Sequence, residues 1–390
     1  MAVRTTMDDV LEQAVTSGAV PGVVALAANG SGLIYEGAFG TREAGADVPM
    51  TLDTVFWIAS MTKAVTSVAA MQLVEQGRIT LDEPLGERFR ELADLKVLEG
   101  FDGSGEPILR PARRPVTLRQ LLTHTSGFSG GYWNENMLRY MEYTRATQAR
   151  AGDRAALFAP LVFDPGERWE YGISTDWVGQ IVEMISGLRL DRYFEENVCG
   201  PLGMRDTGFM LRPDEQERLV SLHQRQPDGS VAVIPHTMQP NPAFLRGAGG
   251  LHSTGPDYLR FVRMLIGRGT LDGAQILRPE TVLDMGRNHI GDLTGQVMRT
   301  VMPQYSYDAD LFPGMIVKWG LGFLINTEPG PAGRSAGSLA WGGLFNTYFW
   351  IDPTMRVGGL ILTQLLPFAD PIVLETFGRF EHAVYDAISG

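Results

Sequence analysis

The sequence predicts an α/β (α+β) protein whose sheet is built from both termini, with a mainly helical domain inserted between them. Two hairpin signals near opposite ends of the chain, a helical pattern that closes it, and a middle of helices and long loops carry this expectation. The sheet domain is expected to be discontinuous, residues 1–81 and 246–390, with the insertion at 82–245.

The opening residues Met1 to Val10 read as the first turns of a helix. Next, Val23–Ala28 and Leu33–Tyr35 flank Asn29-Gly30-Ser31-Gly32, and an Asn-Gly pair between apolar runs signals a hairpin because both residues tolerate positive φ. Ser60-Met61-Thr62-Lys63 opens a helical pattern in which Met61, Ala64, Val65, Val68, Ala69 and Val74 recur, and Gly77 supplies the stop. Thr117-Leu118-Arg119-Gln120 has the form of a capping box. A later helix turns Trp177, Val178, Ile181, Val182 and Ile185 to the core and ends at Gly187. Tyr348–Ile351 and Val357–Leu362 flank Asp352-Pro353-Thr354-Met355 as a second hairpin, and Val373, Phe377, Phe380, Val384 and Ile388 then fall at helical spacing.

The composition is that of a globular chain. Hydrophobic residues are 44% and charged residues 20% of the 390, enough for a substantial core. A net charge of −12 lacks the footprint of a nucleic-acid binder. The single cysteine, Cys199, excludes an internal disulfide and a cysteine-based zinc site, and reads as a buried, inert thiol. The amino-terminal segment lacks an apolar leader and no run of about 18 apolar residues occurs, so the expected location is the cytoplasm, with no membrane partner. Pro111-Ala112-Arg113-Arg114-Pro115 reads as a solvated basic loop.

The chemistry begins at Ser60 and Lys63. Three residues along a helix place them on neighbouring parts of one face, so amine and hydroxyl can meet. A serine needs a nearby base, and a lysine can serve once burial or a second cation lowers its pKa. Alternatively the lysine stays charged and stabilises a phenolate base. Alone the pattern is weak, because any serine-capped helix can produce it. Two further elements strengthen it. Tyr171, in Trp169-Glu170-Tyr171-Gly172, lies in the loop before a helix, where its phenol can enter a cleft or simply anchor the loop. Trp341-Gly342-Gly343-Leu344 precedes a strand, where two glycines allow close backbone approach or mark a bulge.

Ser60-x-x-Lys63, Tyr171 and Trp341-Gly342-Gly343, in this order and spacing, resemble the class C β-lactamase family, and most of all its family VIII carboxylesterases. Leu121-Leu122-Thr123-His124-Thr125-Ser126-Gly127 and Pro201-Leu202-Gly203-Met204 also resemble recurring segments of that group. The resemblance implies a β-lactamase/penicillin-binding-protein-like fold, an antiparallel sheet flanked by helices plus the helical insertion. It implies Ser60 as nucleophile and Tyr171, kept anionic or easily deprotonated by Lys63, as base. The backbone N–H groups of Ser60 and Leu344 would form the oxyanion hole. Tyr132, Trp341, Gly342 and Gly343 would contact substrate. No cofactor or metal is implied, and none of the histidines forms a His-Glu-x-x-His pair.

Two departures shape the expected substrate. Trp341 stands where β-lactam-processing enzymes carry the lysine of Lys-Thr-Gly. Tyr171-Gly172-Ile173 lacks the asparagine of their Tyr-x-Asn. Both remove polar anchors and favour a small, uncharged acyl ester, with weak or no β-lactamase activity. A β-lactamase, a D-amino-acid peptidase, an amide-oligomer hydrolase, an acyltransferase and an acylated sensor without turnover stay open on the same core. Gly333-Arg334-Ser335-Ala336-Gly337 fits the Gly-x-Ser-x-Gly elbow, but it lacks the strand, helix and downstream Asp-then-His order that motif needs. His124 reads as a turn-stabilising residue. Substrate selection is expected from loops near 128–160, 236–250 and 300–318.

Overall fold

In the computed structural model, which describes residues 2–144, 157–235 and 242–389, the two ends of the chain meet in one sheet. Its strands are β1 (Gly22–Asn29), β2 (Gly32–Gly40), β3 (Val317–Trp319), β4 (Leu324–Asn326), β5 (Leu339–Gly343), β6 (Thr347–Asp352) and β7 (Val357–Leu362). They lie in the order β3-β4-β5-β6-β7-β1-β2, each pair antiparallel, and Val24 opposite Leu362 joins the termini.

Both expected hairpins form, the first with a different turn. Asn29 is a strand residue whose side-chain oxygen accepts the Ser31 and Gly32 amides at 2.8 and 3.1 Å. Positive φ falls on Gly32, at +152°, and not on the Asn-Gly pair. An Asx turn thus replaces the twisted two-residue turn. In the second hairpin Asp352 Oδ1 accepts the Thr354 and Met355 amides, both at 2.9 Å.

Helices α1 (Ala2–Thr16), α5 (Gly255–Ile266) and α6 (Pro371–Ser389) pack on the sheet, whereas α4 (Ser174–Ser186) packs on α2 (Thr62–Glu75) and α3 (Leu118–Leu122). Period-two alternation on β6 sets α5 and α6 on opposite faces. Tyr348 and Trp350 meet Phe377 of α6 at 5.4 and 5.6 Å, whereas Phe349 meets Tyr258 of α5 at 5.4 Å. Helix α2 is buried from Thr62 through Leu73, so it is a central helix and not an amphipathic one. Among the described residues, no helix is long and apolar enough to cross a membrane.

Between α2 and α5 the chain is less purely helical than its sequence suggested. Lys96–Phe101 and Pro107–Pro111 form a hairpin, its prolines confined to the ends of a two-stranded ribbon. His223–Arg225 and Val231–Val233 form a small sheet with Leu365–Leu366, which ties this segment to the carboxyl-terminal strands.

Candidate active site

Ser60 lies in a 3-10 turn, Ala59–Met61, immediately before α2. The turn begins with strain: Ala59 has φ +43°, the left-handed region that a non-glycine residue seldom adopts. Surrounding bonds hold it there. Thr62 Oγ1 donates to the Ala59 carbonyl at 2.6 Å and accepts the Leu251 amide at 3.1 Å, while the Tyr258 hydroxyl donates to the Met61 carbonyl at 3.0 Å. Such strain survives where neighbours over-determine it. Nothing in the letters around Ser60 announces it.

The turn rests on the end of β5. A side chain at Gly343 would meet the Ile58 carbonyl at 2.2 Å, and one at Gly342 the Tyr348 ring at 2.5 Å. The close approach these glycines permit is therefore made by the protein itself. Leu344 follows, half-buried, and joins a small apolar cluster with Ala59, Leu222, Phe345 and Leu366, so the two expected oxyanion residues belong to neighbouring segments.

Lys63 and Tyr171 converge on the serine. Lys63 Nζ donates to Ser60 Oγ at 3.1 Å and to the Ala248 carbonyl at 2.7 Å. It lies 4.7 Å from the centre of the Tyr171 ring. The Tyr171 hydroxyl accepts the Trp341 indole N–H at 3.1 Å, and Ser60 lies near enough to favour its anion. Lys63 and Tyr171 are buried, whereas Ser60 is partly open. Sequence-distant elements, the turn before α2, the loop before α4 and β5, thus bring Ser60, Lys63, Tyr171 and Trp341 together.

Burial decides the protonation states. It lowers the Lys63 amine from 10.5 to about 7, against the raising influence of Asp176 and with the help of Arg246. It pushes the Tyr171 phenol well above its ordinary 10, although Ser60 nearby and the Trp341 hydrogen bond favour the anion. Burial therefore works against a resting phenolate on Tyr171. With the Lys63 amine near 7, a sizeable neutral fraction stands beside a neutral phenol at neutral pH, because both ions would be stripped of water.

The sequence reading missed several contributors. Asp176, in the first turn of α4, is buried; its Oδ1 accepts the Ala248 amide at 2.7 Å, and Arg246 Nη2 donates to Oδ2 at 3.4 Å. The signal was a lone acid five residues after Tyr171, directly before a run facing the core. Trp133 and Trp319 enclose the Tyr171 ring at 5.3 and 6.4 Å. Tyr132 is half-buried against Trp133 and Tyr305, one ring removed from Tyr171.

The competing residues sit in structural settings. His124, at φ +58°, shares a hydrogen bond between Nδ1 and Ser174 Oγ at 2.9 Å, and burial together with the Lys63 charge holds it well below its usual pKa. The Ser335 amide donates to Asp352 Oδ2 at 2.8 Å in a loop that runs straight into β5, so no strand–turn–helix elbow exists. Arg334 beside it forms a buried ion pair with Glu381 of α6. Cys199 is buried, its thiol pushed up to about 12. Among the described residues, no group of three or more His, Cys, Asp or Glu side chains could hold a metal ion. Parts of the expected substrate loops, 145–156 and 236–241, lie outside the described residues.

Known proteins resemble the chain as a whole. The monacolin J acid methylbutanoyltransferase of Aspergillus terreus is 34% identical over 97% of this chain and 95% of its own. The lovastatin esterase of Penicillium rubens is 32% identical over 97% of this chain and 98% of its own. The unliganded simvastatin synthase structure from Aspergillus terreus superposes with a TM-score of 0.87 at 33% identity, covering 98% of this chain and 97% of that one. Residues 7–381 match the family model described as Beta-lactamase. With that match spanning nearly the whole chain, the protein belongs to the β-lactamase family.

Proposed function

We propose that this chain is a serine carboxylesterase that forms an acyl-enzyme on Ser60 from esters with small, uncharged acyl groups. The observation that carries the reading is the buried Lys63 amine, lowered to about 7 and 3.1 Å from Ser60 Oγ. As the Ser60 oxygen bonds to the ester carbonyl carbon, its proton passes to Lys63. The carbonyl oxygen becomes an oxyanion facing the Ser60 and Leu344 amides, each such donor being worth ~10²–10³ in rate. When the carbon–oxygen bond to the leaving alcohol breaks, Tyr171 relays the proton to that oxygen and recovers one from Lys63. In the second half a water oxygen attacks the acyl carbon, its proton goes to the same pair, and Ser60 leaves reprotonated.

The half-buried apolar rim of Trp57, Ile234, Tyr305 and Leu344 beside Ala59 supports an uncharged acyl group. Trp341, spent on Tyr171, offers no cation to a β-lactam carboxylate. A second reading, transfer to an alcohol instead of water, is favoured by the 34% identity to a protein named a methylbutanoyltransferase. Hydrolysis of p-nitrophenyl butyrate compared with that of a cephalosporin tests the first reading. Brisk cephalosporin turnover with an inert ester would reject it. Adding a primary or secondary alcohol separates the two acceptors: new ester formed at the expense of acid assigns the transferase.

A further inference from the structure

The turn around residue 248 grips Lys63 from outside its own helix. Lys63 Nζ donates to the Ala248 carbonyl at 2.7 Å, and the N–H of the same residue donates to Asp176 Oδ1 at 2.7 Å. Next to it, Thr66 Oγ1 of α2 donates to the Gly247 carbonyl at 2.7 Å. The carboxylate is closed from the other side by Arg246, whose side chain is 43% exposed and donates a single bond of 3.4 Å.

Resting on Lys63 as the base for Ser60, we propose that Asp176 and Arg246 are positioning residues for that lysine. Asp176 fixes Ala248, and so the carbonyl that seats the amine. Arg246 anchors Asp176 from its exposed side and opposes its charge. The ionisable groups facing Lys63 are His124 from the turn after α3, Tyr171 from the loop before α4, Asp176 from α4, and Arg246. Burial keeps His124 and Tyr171 neutral at pH 7, which leaves the carboxylate and the guanidinium as the fixed charges. Asp176 raises the Lys63 pKa and Arg246 lowers it, so removing each moves the amine in opposite directions. Exposure of Arg246 screens its share.

The test is the rate at which a fluorophosphonate labels Ser60 between about pH 5 and 9, which reads serine activation whichever acceptor follows. Asp176→Asn keeps an acceptor for the Ala248 amide and should move the acidic limb down by about half a pH unit or more. Asp176→Ala loses the acceptor too, and its plateau rate should fall about tenfold or more. Arg246→Gln should move the limb up, and Arg246→Lys should return it toward wild type. Limbs that coincide with wild type in every variant would overturn the proposal. Should the Asp176 variants fail to fold by circular dichroism, the Arg246 pair decides alone: an upward move supports it, a coincident limb overturns it. A wild-type protein left unlabelled at Ser60 would instead refute the functional reading.

Discussion

Replacing Lys63 by methionine should stabilise the protein at neutral pH while abolishing its chemistry. The amine is 4% exposed, and burial brings it from 10.5 to about 7. At ~1.4 kcal/mol per pH unit, that gap makes the charged amine roughly 5 kcal/mol worse off folded than unfolded. Methionine forfeits the bond to the Ala248 carbonyl, a loss of about 1–3 kcal/mol. The net at pH 7 is a gain of about 2–4 kcal/mol. Its pH dependence has a definite sign. Below about 7 both states hold the proton and the burial penalty is full. From about 7 to 10.5 only the unfolded chain holds it, so wild-type stability climbs with pH and the variant's advantage shrinks. Denaturant unfolding of both proteins near pH 7 and near pH 10 reads this directly. A variant that unfolds more easily at pH 7, or an advantage equal at both pH values, would show that Lys63 is not depressed and cannot act as a neutral base.

Other perturbations separate the parts of the site. Trp341→Phe keeps an aromatic ring but removes the N–H that donates to Tyr171 at 3.1 Å, so kcat should drop about tenfold with KM nearly unchanged in steady-state ester hydrolysis. Gly343→Ala drives a methyl to 2.2 Å from the Ile58 carbonyl; thermal unfolding should show a loss of about 1–3 kcal/mol, and displacement of the Ser60 turn should cost about 10²-fold in kcat. Arg334→Met strands the buried Glu381 carboxylate and should destabilise by about 3–5 kcal/mol in denaturant titrations, with kcat per folded molecule unchanged. The kcat/KM profile for ester should lose activity as pH falls through about 7, because protonating Lys63 removes the base; a flat profile down to pH 5 would contradict this.

Much of this was legible because it is local. The Ser60-to-Lys63 spacing, the Gly187 stop at φ +78° and the Thr117 capping box are each settled within one helical turn or its ends. The hairpins were legible too, though side-chain bonding at Asn29 chose a different turn. What escaped depends on distant segments. The left-handed Ala59 is imposed by Thr62, Leu251 and Tyr258, and the prolines at both ends of Pro107–Pro111 hid its strand. Residue types left two protonation patterns open for the Lys63–Tyr171 pair, because weighing desolvation needs the packed surroundings of Trp133, Trp319 and Trp341. Asp176 and Arg246 stand 70 residues apart and meet only in the fold.

The central claim is that a buried amine makes Ser60 the reacting oxygen. Intact-mass analysis after brief exposure to a fluorophosphonate, followed by peptide mapping, tests it most directly. One adduct on the Ser60 peptide, forming faster as pH rises through about 7 and absent in Ser60→Ala, is the predicted result. An adduct on Ser335 or another serine, or one that persists in Ser60→Ala, would contradict it.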